Sequence, residues 1–321
     1  MKSILFVSQW YPANIGTFLS YAFEDAGYKV IRVGQACFTH YGLTYNNSEL
    51  PLITERLEQG QSVNLPRLVD KYTPDILLMW DWTGEPAVYQ VAELGETQNL
   101  KNRLPFIYVE HEGWENALKR IELFNPTVAY TGMPYGVVET PCSAAAMGYK
   151  YLAGACYPKV HYITKSLRDK DLDFIVMASF ARTRNAVCAA MRQKGFETYY
   201  GVGSLTAYRN YHNSSLTTYD FSDGWQYVKW RVFEAMAMGC ILLQDSFELL
   251  DMLGFVPDKH YVEYKLTAEY QPDIEDMAAK INMLKTDHDL ADKIRADAYN
   301  FVMEKHQYSH RVQQILRDLG A

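Results

Sequence analysis

The chain has 321 residues, 48% of them hydrophobic and 21% charged, with a net charge of −7 and an isoelectric point near 5.7. That length is too great for one ordinary core and suits two domains of about 150 residues each, and the composition excludes a disordered chain. The acidic balance excludes an overall basic field for holding a polyanion. Cys37, Cys142, Cys156, Cys188 and Cys240 are odd in number, widely spaced and without a C-x-x-C pair, so neither a disulfide framework nor a zinc site is expected. A reduced, cytoplasmic setting is the simplest expectation. The apolar run at the N-terminus is too short for a signal-peptide core or a membrane span.

In chain order, apolar residues 4–7 predict a buried strand, 17–26 a helix closed by Gly27, and 29–33 the next strand, a βαβ opening. The loop from Tyr11 to Gly16 falls between the first strand and helix, where open α/β sheets bind ligands, and Gly16 at the helix start is a candidate to approach an anion or sugar. The loop lacks a full G-x-G-x-x-G, which argues against a nicotinamide or flavin site. Further strands are predicted at 75–80, 105–110, 127–131 and 150–153, alternating with helices at 86–94 and 114–124. A charged connection near 158–171 marks the domain boundary, giving a first domain of 1–165 and a second of 166–321. Strands at 174–177, 198–200, 216–219, 240–243 and 260–263 follow, with helices at 184–194 and 228–238 and an amphipathic helical tail from Asp273. The last helix is a candidate to cross back to the first domain.

The most informative stretch runs from Lys229 to Gln244. Lys229 and Arg231 lead into Glu234, a small-residue helix, Gly239 and an apolar strand. Two cations suit a pyrophosphate, and a carboxylate suits the two donors of a ribose diol. The competing reading is an amphipathic core helix with a solvated basic edge. Elsewhere, Glu110, His111 and Glu112 fall together at a predicted strand end, a catalytic cluster or a solvated capping loop. Asp81 ends another strand beside Trp82 and is the alternative base. Gly203, in Gly201-Val202-Gly203-Ser204, either cradles phosphate or forms a turn. His306, His310 and Arg311 on the terminal helix are expected at the surface. No cluster has metal-ligand spacing.

The order of elements resembles the GT-B fold, two doubly wound Rossmann-like domains facing across a cleft, followed by C-terminal helices. Residues 170–320 resemble the group 1 glycosyltransferases, and within them the spore-maturation (CgeB-like) branch, through Asp173-Phe174-Ile175-Val176-Met177-Ala178-Ser179, Arg184, Gly195, Tyr200-Gly201, Arg231 to Gly239, and Tyr308-Ser309-His310-Arg311. The resemblance implies a hexosyltransferase that takes a nucleotide-diphosphate sugar, UDP-linked in the simplest case, as co-substrate with no bound cofactor or metal. It implies that the second domain holds the donor, with Arg184 and Lys229 or Arg231 at the diphosphate, Glu234 at the ribose and Arg182 also among the donor-binding residues. Many retaining members carry a second glutamate where this chain has Gln226, so a retaining mechanism does not carry over, and Asp223 is the substitute candidate. The acceptor is a glycan, a small molecule or a modified DNA base, and a catalytically idle nucleotide-sugar binder is the alternative.

Overall fold

The computed structural model describes residues 1–12, 14–37, 39–40, 43–44, 50–58, 61, 63–81, 94–110, 117–132, 148–178, 182–222 and 228–320; of residues 39, 40, 43, 44, 81, 94 and 117–120 it describes the backbone alone. The chain divides into two compact units. One comprises Met1–Phe38, Tyr45–Ala153 and Tyr308–Ala321, the other Thr39–Thr44 and Gly154–Gln307.

In chain order the elements of the first stretch are β1 (Ser3–Val7), α1 (Ile15–Asp25), β2 (Lys29–Gly34), a small antiparallel pair β3 (Thr39–His40) and β4 (Leu43–Thr44), β5 (Glu55–Arg56), α2 (Leu65–Tyr72), β6 (Ile76–Asp81), α3 (Leu94–Gln98), β7 (Phe106–Glu110), α4 (Ala117–Phe124), β8 (Val128–Thr131) and β9 (Tyr149–Tyr151). Seven of these strands form one sheet in the order β5-β2-β1-β6-β7-β8-β9, every neighbour parallel. Parallel strands covered on both faces read as unbroken apolar runs, and the fully buried Ile4 to Val7 and Phe106 to Val109 do so. Gly34 ends β2 because a Cβ there would come within 1.8 Å of the Ser8 carbonyl oxygen. The predicted helix at 86–94 lies almost wholly outside the described residues.

The second unit carries β10 (Leu172–Met177), α5 (Arg182–Gln193), β11 (Thr198–Gly201), α6 (Leu205–Ser214), β12 (Ser215–Asp220), α7 (Trp230–Ala237), β13 (Ile241–Gln244), α8 (Glu248–Met252), β14 (Val262–Glu263), α9 (Ile274–Thr286) and α10 (His288–Lys305). Its five strands run parallel in the order β11-β10-β12-β13-β14. The chain leaves β10 toward β11 on one side, and β12 takes up the other side. The C-terminal ends of β10 and β12 therefore flank a topological switch point, the place where open α/β sheets bind ligands. Gly239 closes α7 with φ +69, and the Cys240 amide reaches back to the Ala235 carbonyl at 3.0 Å.

The last helix, α11 (Tyr308–Asp318), belongs to the first unit. Tyr308 packs against Phe18 of α1 with ring centroids 5.8 Å apart, and Arg311 Nε donates to the Ala153 carbonyl at 3.0 Å. Asp318 accepts from the Tyr130 hydroxyl at 2.7 Å and pairs with Lys150 at 3.0 Å. This corrects the surface expected for the tail: Arg311 is buried, and so is His306, whose ring stacks on Phe255 and whose Nε2 sits 3.2 Å from the Leu253 carbonyl. Helical periodicity alone does not tell which charged or aromatic positions a neighbouring element will cover. No described helix is long and apolar enough to cross a membrane.

Candidate functional site

A pocket opens at the switch point of the second sheet, lined by Thr183, Arg184, Tyr219, Asp220, Phe221, Lys229 and Arg231. Arg184 comes from the first turn of α5, after β10. Asp220 is the last residue of β12, and Lys229 and Arg231 are the N-cap and second residue of α7. Cations at a helix N-terminus oppose the positive end of its dipole, so this arrangement requires an anion nearby.

Asp220 supplies that anion. It is buried, and its Oδ1 lies 3.3 Å from Lys229 Nζ and 3.4 Å from Arg231 Nη1. Lys229 is buried too and donates to the Phe221 carbonyl, so the stem that sequence alone left free to reach solvent is folded inward. The segment from Asp220 to Ser222 is pinned from further sides. The Tyr264 hydroxyl donates to the Asp220 carbonyl at 2.9 Å, and buried Asp245 accepts from the Ser222 amide at 3.0 Å and from the Ser222 hydroxyl. Burial raises the Asp245 carboxyl above its ordinary range, and the two bonds from Ser222 pull against that rise. Three cations and one carboxylate line the pocket and leave it positive, an arrangement that suits the chemistry of a doubly charged anion such as a diphosphate.

Glu234 lies one turn beyond Arg231 and is not among the described residues lining this pocket. Its side chain is 5% exposed; Oε2 accepts from the Tyr208 hydroxyl at 2.8 Å, and Oε1 stands 3.7 Å from His161 Nε2. The Tyr157 amide donates to His161 Nδ1 at 3.0 Å, and burial pushes this imidazole down to about 3, so it is neutral and turns its Nε2 proton toward Glu234. Burial pushes the Glu234 carboxyl up to about 7, while Tyr208 and Arg231 draw it down.

The second sheet and the pocket at its switch point are the setting for three comparisons. Residues 181–317 match the model of a glycosyl transferase-like family, a stretch that contains every pocket-lining residue. The sucrose-phosphate synthase of Thermosynechococcus elongatus superposes with a TM-score of 0.66 at 13% identity, covering 99% of each chain. The fold is GT-B. HepE of Anabaena, in a complex with UDP and glucose, superposes at 0.64 and 12% identity over 100% of both chains, and a glycosyltransferase of Rickettsia africae at 0.64 and 11% over 98% of this chain and 97% of its own. Among curated protein sequences nothing matches.

Of the residues expected at a donor site in this GT-B chain, the structure brings Arg184, Lys229 and Arg231 together. Arg182 is exposed at the start of α5, and Gly203 sits in the turn before α6, where a Cβ would press to 2.8 Å from Ala207. Gly16 is in the first unit, buried, with its amide donating to the Asn14 side chain, so this N–H is already engaged. Glu110 is buried and accepts from the Tyr149 hydroxyl at 2.8 Å. His111, Glu112 and Gln226 lie outside the described residues, as does the side chain of Asp81. Sequence reasoning missed Asp220, Asp245 and His161. Asp220 and Asp245 carry the same signal that singled out Glu110, a carboxylate at the carboxyl end of a parallel strand; His161 carries none. Among the described residues no group of three or more His, Cys, Asp or Glu is arranged to hold a metal ion.

The buried carboxyl of Glu234 makes stability depend on pH. Folding raises it from 4.5 to about 7, so its contribution is fully present below the unfolded value and is lost as pH rises through about 7. A rise of that size corresponds to roughly 3 kcal/mol. Between about pH 5 and about pH 8.5 the melting temperature of the parent is expected to fall by roughly 5 to 10 °C relative to Glu234→Gln, whose amide cannot ionise. Melting curves that keep the same spacing at both pH values would show a carboxyl of ordinary acidity.

Proposed function

We propose that this protein is a glycosyltransferase that moves a sugar, a hexose in the simplest case, from a UDP-sugar to an acceptor hydroxyl. The observation that carries the reading is the meeting of Arg184, Lys229 and Arg231 at the switch point of a parallel sheet, within the stretch matched by the glycosyl transferase-like family. UDP is chosen because structures of the same fold hold UDP or UDP-glucose. The assignment to the CgeB-like branch rests on the run from Arg231 to Gly239 and its neighbours.

In this reading the diphosphate lies against the three cations and the ribose diol binds Glu234. As the bond to the sugar breaks, negative charge grows on the leaving diphosphate, and the Arg231 guanidinium, already held by Asp220, stabilises it with little reorganisation. That work requires no metal ion. The acceptor proton goes to a carboxylate chosen among Glu112, Asp81 and Glu110, while His111 has the role toward the donor sugar; Glu110 is the weakest of the three because Tyr149 already holds it.

A thermal-shift screen across nucleotide sugars tests the reading. A donor at a hundred times its dissociation constant adds about 2.7 kcal/mol, which is roughly 5 to 10 °C for a unit of this size. UDP and one UDP-sugar are expected to shift the transition while uridine at the same concentration does so far less. No shift with any nucleoside diphosphate or nucleotide sugar at millimolar concentration would remove the donor site.

A further inference from the structure

Glu234 presents an unusual problem for a ligand-binding carboxylate. It sits on α7 with its side chain almost wholly covered, and three elements of the second unit surround it. Tyr208 reaches it from α6 with a 2.8 Å hydrogen bond to Oε2, neutral His161 lies 3.7 Å from Oε1 on the segment before β10, and Arg231 approaches from its own helix. The 3.7 Å separation is too long for a hydrogen bond, so the Tyr208 hydroxyl is the one short contact shown for this carboxylate among the described residues. Tyr208 is itself fixed: its ring lies 4.3 Å from that of His212, and its carbonyl is 2.9 Å from His212 Nδ1. Burial lowers His212 to about 4, so it is neutral near pH 7 and adds no charge beside Glu234.

With so little of the carboxyl open, a diol can use it only if its orientation is set beforehand and it carries its charge. A phenylalanine would fill the space of Tyr208 equally well; the hydroxyl is what does both. We propose that Tyr208 is a positioning residue for the donor ribose, its hydroxyl holding Oε2 of Glu234 so that the anionic carboxylate presents Oε1 to the diol. The inference rests on the assignment of Glu234 to the ribose. A hydrogen bond to the charged form of an acid favours that form, and Tyr208 already offsets part of the burial that drives Glu234 toward neutrality.

The test is UDP affinity as a function of pH, from about 6 to about 9, for the parent, Tyr208→Phe and Tyr208→3-fluorotyrosine. UDP's own phosphate titration is common to all three and cancels in the ratios. The phenylalanine variant is expected to move the rise in affinity upward by about one pH unit, giving UDP binding up to ~10-fold weaker at neutral pH and recovering near pH 9. The fluorinated tyrosine, a stronger donor of the same shape, should move it downward, and this arm stands even if the phenylalanine variant folds poorly. Profiles that superpose on the parent's for either folded variant would overturn the role of Tyr208 while leaving the donor site intact. A parent protein that binds no UDP at any pH would instead fail the functional reading itself.

Discussion

Replacing Arg231 with alanine is expected to weaken UDP binding by roughly 30- to 150-fold, about 2 to 3 kcal/mol, the range of a charge-assisted hydrogen bond to phosphate in a partly buried site. Uridine, which has no phosphate, should bind the variant within about threefold of its affinity for the parent. The fold should survive, because Asp220 keeps Lys229 at 3.3 Å and the Arg231 side chain retains some solvent exposure in the parent. Calorimetry with the two ligands separates the cases. Equal losses for UDP and uridine would mean a general disturbance of α7, and equal, unchanged affinities would place the diphosphate elsewhere.

Asp220→Ala is expected to act mainly on stability. The substitution leaves Lys229 buried against the Phe221 carbonyl with its carboxylate partner gone, and stranding one member of a buried pair costs about 3 to 5 kcal/mol. A loss of that size lowers the melting temperature by roughly 10 °C in a unit of this size. Asp220→Asn should lose less, since the amide oxygen can still accept from both cations. Chemical denaturation of the three proteins reads the difference directly, and an alanine variant as stable as the parent would show that Lys229 finds another anion or reaches water. The two experiments address the same ion-paired atoms from opposite sides, Arg231 through ligand binding and Asp220 through stability.

Much of this was legible along the chain. The apolar runs of β1, β7 and β13 announce strands covered on both faces, and Gly239 after the small-residue stretch of α7 announces the end of that helix. Lys229 and Arg231 stood out as a pair of cations ahead of Glu234, and Arg184 joined them only through the resemblance to the group 1 glycosyltransferases. Helix α6 was not legible. Its Asn, Thr, Tyr and His content is poor for a helix, and it depends on the Ser204 cap and on Lys170, whose Nζ donates at its other end to the carbonyls of His212, Asn213 and Ser215. That lysine is remote in sequence, and its burial, which draws it down to about 8, exists only in the folded unit.

The sequence by itself determined the alternation of strands and helices, the α/β class, and the run of Lys229, Arg231 and Glu234 at the start of a small-residue helix. Those properties follow from periodicity and from the residues next to one another. Only the tertiary structure decided that Asp220 would hold Lys229 and Arg231, that Glu234 would be covered and bonded to Tyr208, and that α11 would join the first unit beside α1. Each of these depends on which distant element covers a side chain, and coverage sets both the ion partner and the acidity of a buried group; neither is written in local spacing.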